Sequence, residues 1–234
     1  MNAYTAIVLA AGSGKRMESN VKKQYMMLGG KPLMIHCLET FDKSAVSAVV
    51  LVVAPGECEN AKAMIAQFGI KKVVAIVEGG AERYDSVYAG LKVIDGGYVL
   101  IHDSARPFIE VDTIHRCMSA VALYEAAVVG MPSKDTIKIT DEKGKVLNTP
   151  LRQNTWVVQT PQCFEYGLVR SAYDKMIAVG DNTITDDAMV VEKYSNRPVH
   201  MIKASYENIK ITTPVDIIVG EAILANRKPT IYDV

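Results

Sequence analysis

Ile7-Val8-Leu9-Ala10-Ala11-Gly12-Ser13-Gly14-Lys15-Arg16-Met17 begins as an apolar run and ends in glycines and cations, with Lys23-Gln24-Tyr25 close behind. Ala6 to Ala10 reads as a strand buried on both faces. A strand that ends this way delivers bare backbone and positive charge to one point. Glycine lets the main chain approach a ligand closely, and successive free N–H groups in such a turn form a concave anion site. Arg16 adds a planar cationic fork and Lys23 a mobile point charge. A polyphosphate is the ligand these features suit. The Walker pattern fails here because Gly14-Lys15 is followed by Arg16 instead of a hydroxyl residue, and the dinucleotide fingerprint fails at Met17.

Outward from this loop the pattern alternates strand and helix. Pro32 can open a helix that carries Leu33, Cys37, Leu38 and Phe41 at helical spacing. Val46 to Val53 is a continuous β-branched strand, Ala61 to Phe68 a helix and Lys71 to Val77 a strand. Short joints between them predict an α/β fold with a doubly wound, mostly parallel sheet, Rossmann-like in kind. Ligands of such sheets sit beyond the carboxyl ends of the strands. The 234 residues fit one domain, and 26 basic against 26 acidic residues offer no general attraction for nucleic acid or membrane. No apolar run approaches the ~20 residues of a membrane span. Cys37, Cys58, Cys117 and Cys163 are scattered and form no C-x-x-C pair, the pattern of reduced thiols in a cytoplasmic protein.

Two more strand ends carry polar strings. Gly79-Gly80-Ala81-Glu82-Arg83-Tyr84-Asp85-Ser86 leads into a helix, and its glycine N–H groups and Ser86 hydroxyl are suited to the edge of a base or to a plain turn. Tyr98 to Ile101 runs into His102-Asp103-Ser104-Ala105-Arg106-Pro107. Asp103 there is placed to accept a hydroxyl or sit near a metal, and Arg106 to pair with a phosphate or with Asp103. His102 packs and hydrogen-bonds, and His36, His115 and His200 have no metal-type spacing.

After a helix to Tyr124 and a strand from Ala126 to Met131 the rhythm breaks. Ser133 to Thr149 alternates around a turn at Glu142-Lys143-Gly144, which predicts a protruding β-hairpin. A lone hairpin is marginal in water, so it docks on something. Trp156 follows as a packing anchor, with Arg152 and Thr160 toward the crevice, then a helix from Glu165 to Ala178. Thr185-Asp186-Asp187-Ala188 reads as a helix cap. Lys210, between Ile209 and Ile211, is expected in a short strand with its amine solvated or on an anion; a last helix spans about Val215 to Ala225.

Taken together, L-A-A-G-S-G-K-R-M, K-K-Q-Y, G-G-x-x-R-x-x-S-V, H-D-x-A-R-P, R-x-x-x-W with Q-T-P-Q-x-F, T-D-D-A and N-I-K-I-T-x-P-x-D resemble the sugar-nucleotide pyrophosphorylase-like nucleotidyltransferases. Within them the string is most similar to the 2-C-methyl-D-erythritol 4-phosphate cytidylyltransferases, over almost the whole chain. The ribitol-5-phosphate cytidylyltransferases share the loop, the hairpin and Q-T-P-Q, and a catalytically silent nucleotide-binding protein is a third reading. The first resemblance implies attack of a polyol phosphate on the α-phosphorus of CTP. It implies catalytic roles for Arg16, Lys23, Arg152 and Lys210. CTP contacts would come from Ala10, Ala11, Gly12, Ser13, Gly14, Gly79, Gly80, Arg83, Ser86 and Asp103, and polyol contacts from Asp103, Arg106, Thr136 and Thr160. Magnesium would be held mainly by CTP phosphates, near Asp103, and the hairpin, about 134–150, would be an arm that makes a homodimer. The chain departs from the pattern at Ala81 (usually Asp), Thr155 (usually Leu) and Lys22 (usually Pro), the last expected to loosen the loop that holds Lys23.

Overall fold

The computed structural model of the chain describes residues 3–12 and 22–227. Strand β1 (Tyr4–Ala10) pairs in parallel with β4 (Ala48–Val53) on one side and β6 (Tyr98–Asp103) on the other, so that Ile7 lies opposite both Val50 and Ile101. Between β1 and β4 come a small hairpin of β2 (Met27–Leu28) and β3 (Lys31–Pro32) and helix α1 (Leu33–Lys43). Helix α2 (Cys58–Gln67) leads to β5 (Val73–Glu78), which extends the parallel sheet beyond β4. Helix α3 (Arg83–Leu91) crosses back to β6, and α4 (Val111–Tyr124) leads on to β7 (Ala126–Pro132).

The hairpin arm follows as β8 (Ile139–Thr140) and β9 (Val146–Asn148), turning at Gly144 with φ +81°. Strand β10 (Trp156–Glu165) then returns between β6 and β7, antiparallel to both. Helices α5 (Tyr166–Val179) and α6 (Asp187–Tyr194), edge strand β11 (His200–Lys203) and helix α7 (Pro214–Asn226) complete the order. Across the large sheet the strands run β11-β7-β10-β6-β1-β4-β5.

Side-chain alternation along each strand splits the core in two. Ala6, Val8, Val49, Leu51 and Leu100 pack against α1, α2 and α4 on one face. Ile7, Val50, Val52, Val99, Ile101 and Phe164 pack against α3, α5 and α6 on the other. Both faces are therefore buried, which is why these strands read as unbroken apolar runs. Helix α7 closes a third small cluster over Leu28, Leu33, Phe108 and Ile211.

Two sequence expectations change. Residues 156–165 form the longest strand of the sheet, where only a packing tryptophan and polar motif were expected; Trp156 itself is half-buried at the strand's start. Residues 209–211 form no strand. Ile211 is fully buried, and its N–H donates to the Ala105 carbonyl at 2.8 Å, so one bond and one apolar side chain pin the segment. Lys22, by contrast, keeps the backbone a proline would take, φ −59° and ψ 136°, and is ion-paired to Glu57.

Because Phe164 is fully buried in β10, Phe164→Ala should destabilise the fold by about 3–5 kcal/mol. Urea denaturation would read this as a lowered midpoint at an unchanged slope.

Candidate active site

Parallel pairing aligns the carboxyl ends of β1, β4, β5 and β6, and their loops wall one crevice of roughly 510 Å³. Ala10, Ala11 and Gly12 come from β1, Pro55 from β4, Gly80 to Arg83 from β5 and Asp103 to Ala105 from β6; Lys22, Lys23 and Lys210 add cations. Ser13, Gly14 and Arg16 lie outside the described residues.

The β1 and β5 loops touch, and glycine makes that possible. A Cβ at Gly79 would lie 2.5 Å from Ser86 Oγ and 2.7 Å from the Ala11 side chain, and one at Gly80 would lie 2.3 Å from Asp85 Cβ. A reciprocal capping box between Glu82 and Asp85 starts α3 immediately beyond. The Gly79 N–H is spent on the Val53 carbonyl at 2.7 Å and the Ser86 hydroxyl donates to the Glu82 carbonyl at 3.2 Å. Gly80, Ala81 and the acceptor side of Ser86 are what this loop offers a ligand.

Asp103 is the electrostatic centre of the crevice. Its Oδ1 accepts from Arg83 Nε at 3.2 Å and its Oδ2 from Lys210 Nζ at 2.6 Å. Burial alone would raise its pKa, but Arg83 and then Lys210 hold it well below the usual carboxylate range. Arg83 in turn places both Nη atoms on Asp187, at 2.8 Å each. Burial works against its charge, and Asp187 and Asp103 overrule it and hold its pKa well above the ordinary value. The Asp103 N–H donates to Thr160 Oγ1 at 3.1 Å, so Thr160, 3% exposed, stands behind Asp103 instead of opening on the crevice. Thr160 Oγ1 also meets His102 Nδ1 at 3.0 Å, and His102 Nε2 meets the Arg106 carbonyl at 3.1 Å. Arg106 donates to the carbonyls of Asn208 at 2.8 Å and Val158 at 3.4 Å, bracing the segment that carries Lys210; burial lowers its pKa.

Thr136 and Arg152 are exposed on the arm and do not line the crevice of their own chain. Sequence reasoning missed Asp187: T-D-D-A was read as a cap, and Asp186 alone supplies it by accepting from Met189 N at 2.9 Å. The second aspartate, superfluous for capping, was the available signal.

The 2-C-methyl-D-erythritol 4-phosphate cytidylyltransferase family model matches residues 4–226. The chain belongs to this family. Among its relatives, the cytidylyltransferase of Lachnoclostridium phytofermentans is 47% identical over 96% of this chain and 97% of that one. The Alkaliphilus oremlandii enzyme is 45% identical over 96% of each. The fold agrees with the crystal structure of the 4-diphosphocytidyl-2C-methyl-D-erythritol synthase of Anaerococcus prevotii, with a TM-score of 0.85, 31% identity and 96% of both chains covered. It also agrees with the Thermus thermophilus cytidylyltransferase at a TM-score of 0.77 and 27% identity, covering 96% of this chain and all of that one. No helix of the described residues is long and apolar enough to cross a membrane.

His102 is fully buried, and burial lowers its pKa from 6.5 to about 4. Between those values the unfolded chain binds the proton and the folded one does not, so stability rises with pH. Acidification from 6.5 to 4 should therefore cost roughly 3 kcal/mol through this residue. Denaturant melts across that range should show a shallower pH dependence for His102→Gln by about that amount.

Proposed function

We propose that the chain transfers the cytidylyl group of CTP to 2-C-methyl-D-erythritol 4-phosphate, releasing pyrophosphate and forming 4-diphosphocytidyl-2-C-methyl-D-erythritol in the cytoplasm. The observation that carries this is the meeting of Lys210 with Asp103 inside the crevice walled by the β1 and β5 loops. It puts a cation for the incoming phosphate beside the loops that suit a nucleoside triphosphate. The acceptor's phosphate oxygen attacks the α-phosphorus in line as the bond to pyrophosphate breaks. No protein nucleophile is needed; positioning and charge carry the catalysis.

Arg16 and Lys23 stabilise the charge that grows on the equatorial and leaving oxygens, and Lys210 with Arg152 holds the attacking phosphate. Gly80 and Ser86 meet the cytosine, while Asp103, Arg106, Thr136 and Thr160 orient the acceptor directly or through the network around Asp103. Magnesium would be held chiefly by the phosphates, with Asp103, ionised and now paired with Arg83 and Lys210, as a crevice carboxylate beside them. When bound, the ion neutralises charge across the triphosphate oxygens.

The active form in this reading is a homodimer. The arm leaves the sheet at the crevice edge, from the end of β7 to the start of β10. Ile139, Val146, Leu147 and Leu151 on it are exposed, Leu147 and Leu151 by more than 60%. A twofold partner covers such a face with its own arm and brings Thr136 and Arg152 to the other chain's crevice.

Pyrophosphate release should be rapid with CTP and methylerythritol phosphate and slow with ribitol 5-phosphate or with UTP; equal rates with ribitol phosphate would overturn the acceptor. Arg16→Ala or Lys23→Ala should lower kcat on the order of a hundredfold or more, and a variant with only a raised CTP KM would remove that role. Mixing Arg152→Ala with Lys23→Ala protein should restore activity as subunits exchange, since one site of the heterodimer is then intact. Demonstrated exchange without recovery would put both residues in one chain's site.

A further inference from the structure

Asp187 has no part in the chemistry above, yet its carboxylate is fully buried and wholly committed. Its Oδ1 accepts from Arg83 Nη1 at 2.8 Å and from the buried Tyr173 hydroxyl at 2.6 Å, and its Oδ2 accepts from Arg83 Nη2 at 2.8 Å. Capping does not require it, because Asp186 fills that role. Stability alone is a weak reason to build the pair, since a whole buried ion pair seldom outdoes apolar residues of the same size, although removing one partner of an existing pair is costly. What the pair does fix is orientation. A guanidinium is rigid and planar, and a bidentate carboxylate locks the plane.

We propose that Asp187 is a positioning residue for the transfer reaction, acting through Arg83 on Asp103. With both Nη atoms held by Asp187, Arg83 turns only its Nε edge to Asp103, at 3.2 Å. One oxygen of Asp103 is engaged and the other faces Lys210 at 2.6 Å. Without Asp187 the fork is free to close on Asp103 with two donors and draw that carboxylate from the crevice. The result is a line of alternating charge, Asp187, Arg83, Asp103, Lys210, anchored in the core at one end and open to ligand at the other. The inference rests on the transfer reading for its consequence but not for its geometry.

Asp187→Asn keeps the shape and removes the charge. It should lower kcat at least tenfold in protein that melts cooperatively above the assay temperature, with both KM values within about threefold. A smaller fall in kcat would overturn the role. Should this variant not fold, Arg83→Met with Asp187→Asn removes both buried charges together and takes its place. In either case Asp187 acting through Arg83 requires that the double variant be no slower than Arg83→Met alone; multiplied losses would overturn the proposal. A second readout is independent of activity. In ¹⁵N-arginine-labelled wild type, slow rotation should give Arg83 separate Nη signals, whose shifts or exchange should change in Asp187→Asn as the fork leaves residue 187. Unchanged signals would show that Asp187 does not hold the fork. Absence of pyrophosphate release by the wild type would instead count against the transfer reading, leaving the NMR arm to decide this one.

Discussion

Burial of β1 on both faces, between β4 and β6, is the constraint from which the rest follows. Parallel neighbours cannot be joined by tight turns, so each connection becomes a helix packed on one face of the sheet or the other. Ile7 and Val8 therefore point into different clusters, one under α3, α5 and α6 and the other under α1, α2 and α4. The same pairing brings the strand ends to one edge. The crevice is the space those ends leave open, and glycine at 79 and 80 lets two of its loops touch.

Charge is then added in compensated form. Taking ions out of water is expensive unless each is matched and hydrogen-bonded. Asp187, Arg83, Asp103 and Lys210 alternate in sign, so the line is neutral while its outer end meets the crevice. In the proposed reaction a phosphate arriving at Lys210 would compete with the Asp103 carboxylate, which already holds the amine in the crevice. The surrounding hydrogen bonds through Thr160, His102 and Arg106 keep Asp103 from following the lysine.

Strand β10 has two tasks. Its carboxyl-terminal half fills the core with Cys163 and Phe164, and its amino-terminal half carries the arm away from the crevice edge. Running antiparallel, it reverses the chain so that the arm and the crevice share one end of the sheet. In an all-parallel sheet this position would place the start of the strand at the opposite edge.

The sequence by itself determined the strand-loop-helix units. Ala48 to Val53, and Ala6 to Ala10 before Gly12, are apolar without interruption, as strands covered on both faces are. The cap at Asp186 was readable too, because capping is local. Strand β10 was not, since Gln159, Thr160 and Gln162 look like loop residues and Pro161 has no N–H for a ladder. These polar side chains are buried only because Asn208, Asp103 and Asp186 come to them from distant segments. Likewise Lys210 stood in the sequence as a solvated or anion-binding cation. Its partner lies 107 residues away, and that of Asp187 lies 104 residues away. Periodicity reports which side of a local element seeks the core. Which distant charge neutralises a buried one is fixed only when the sheet brings their elements together.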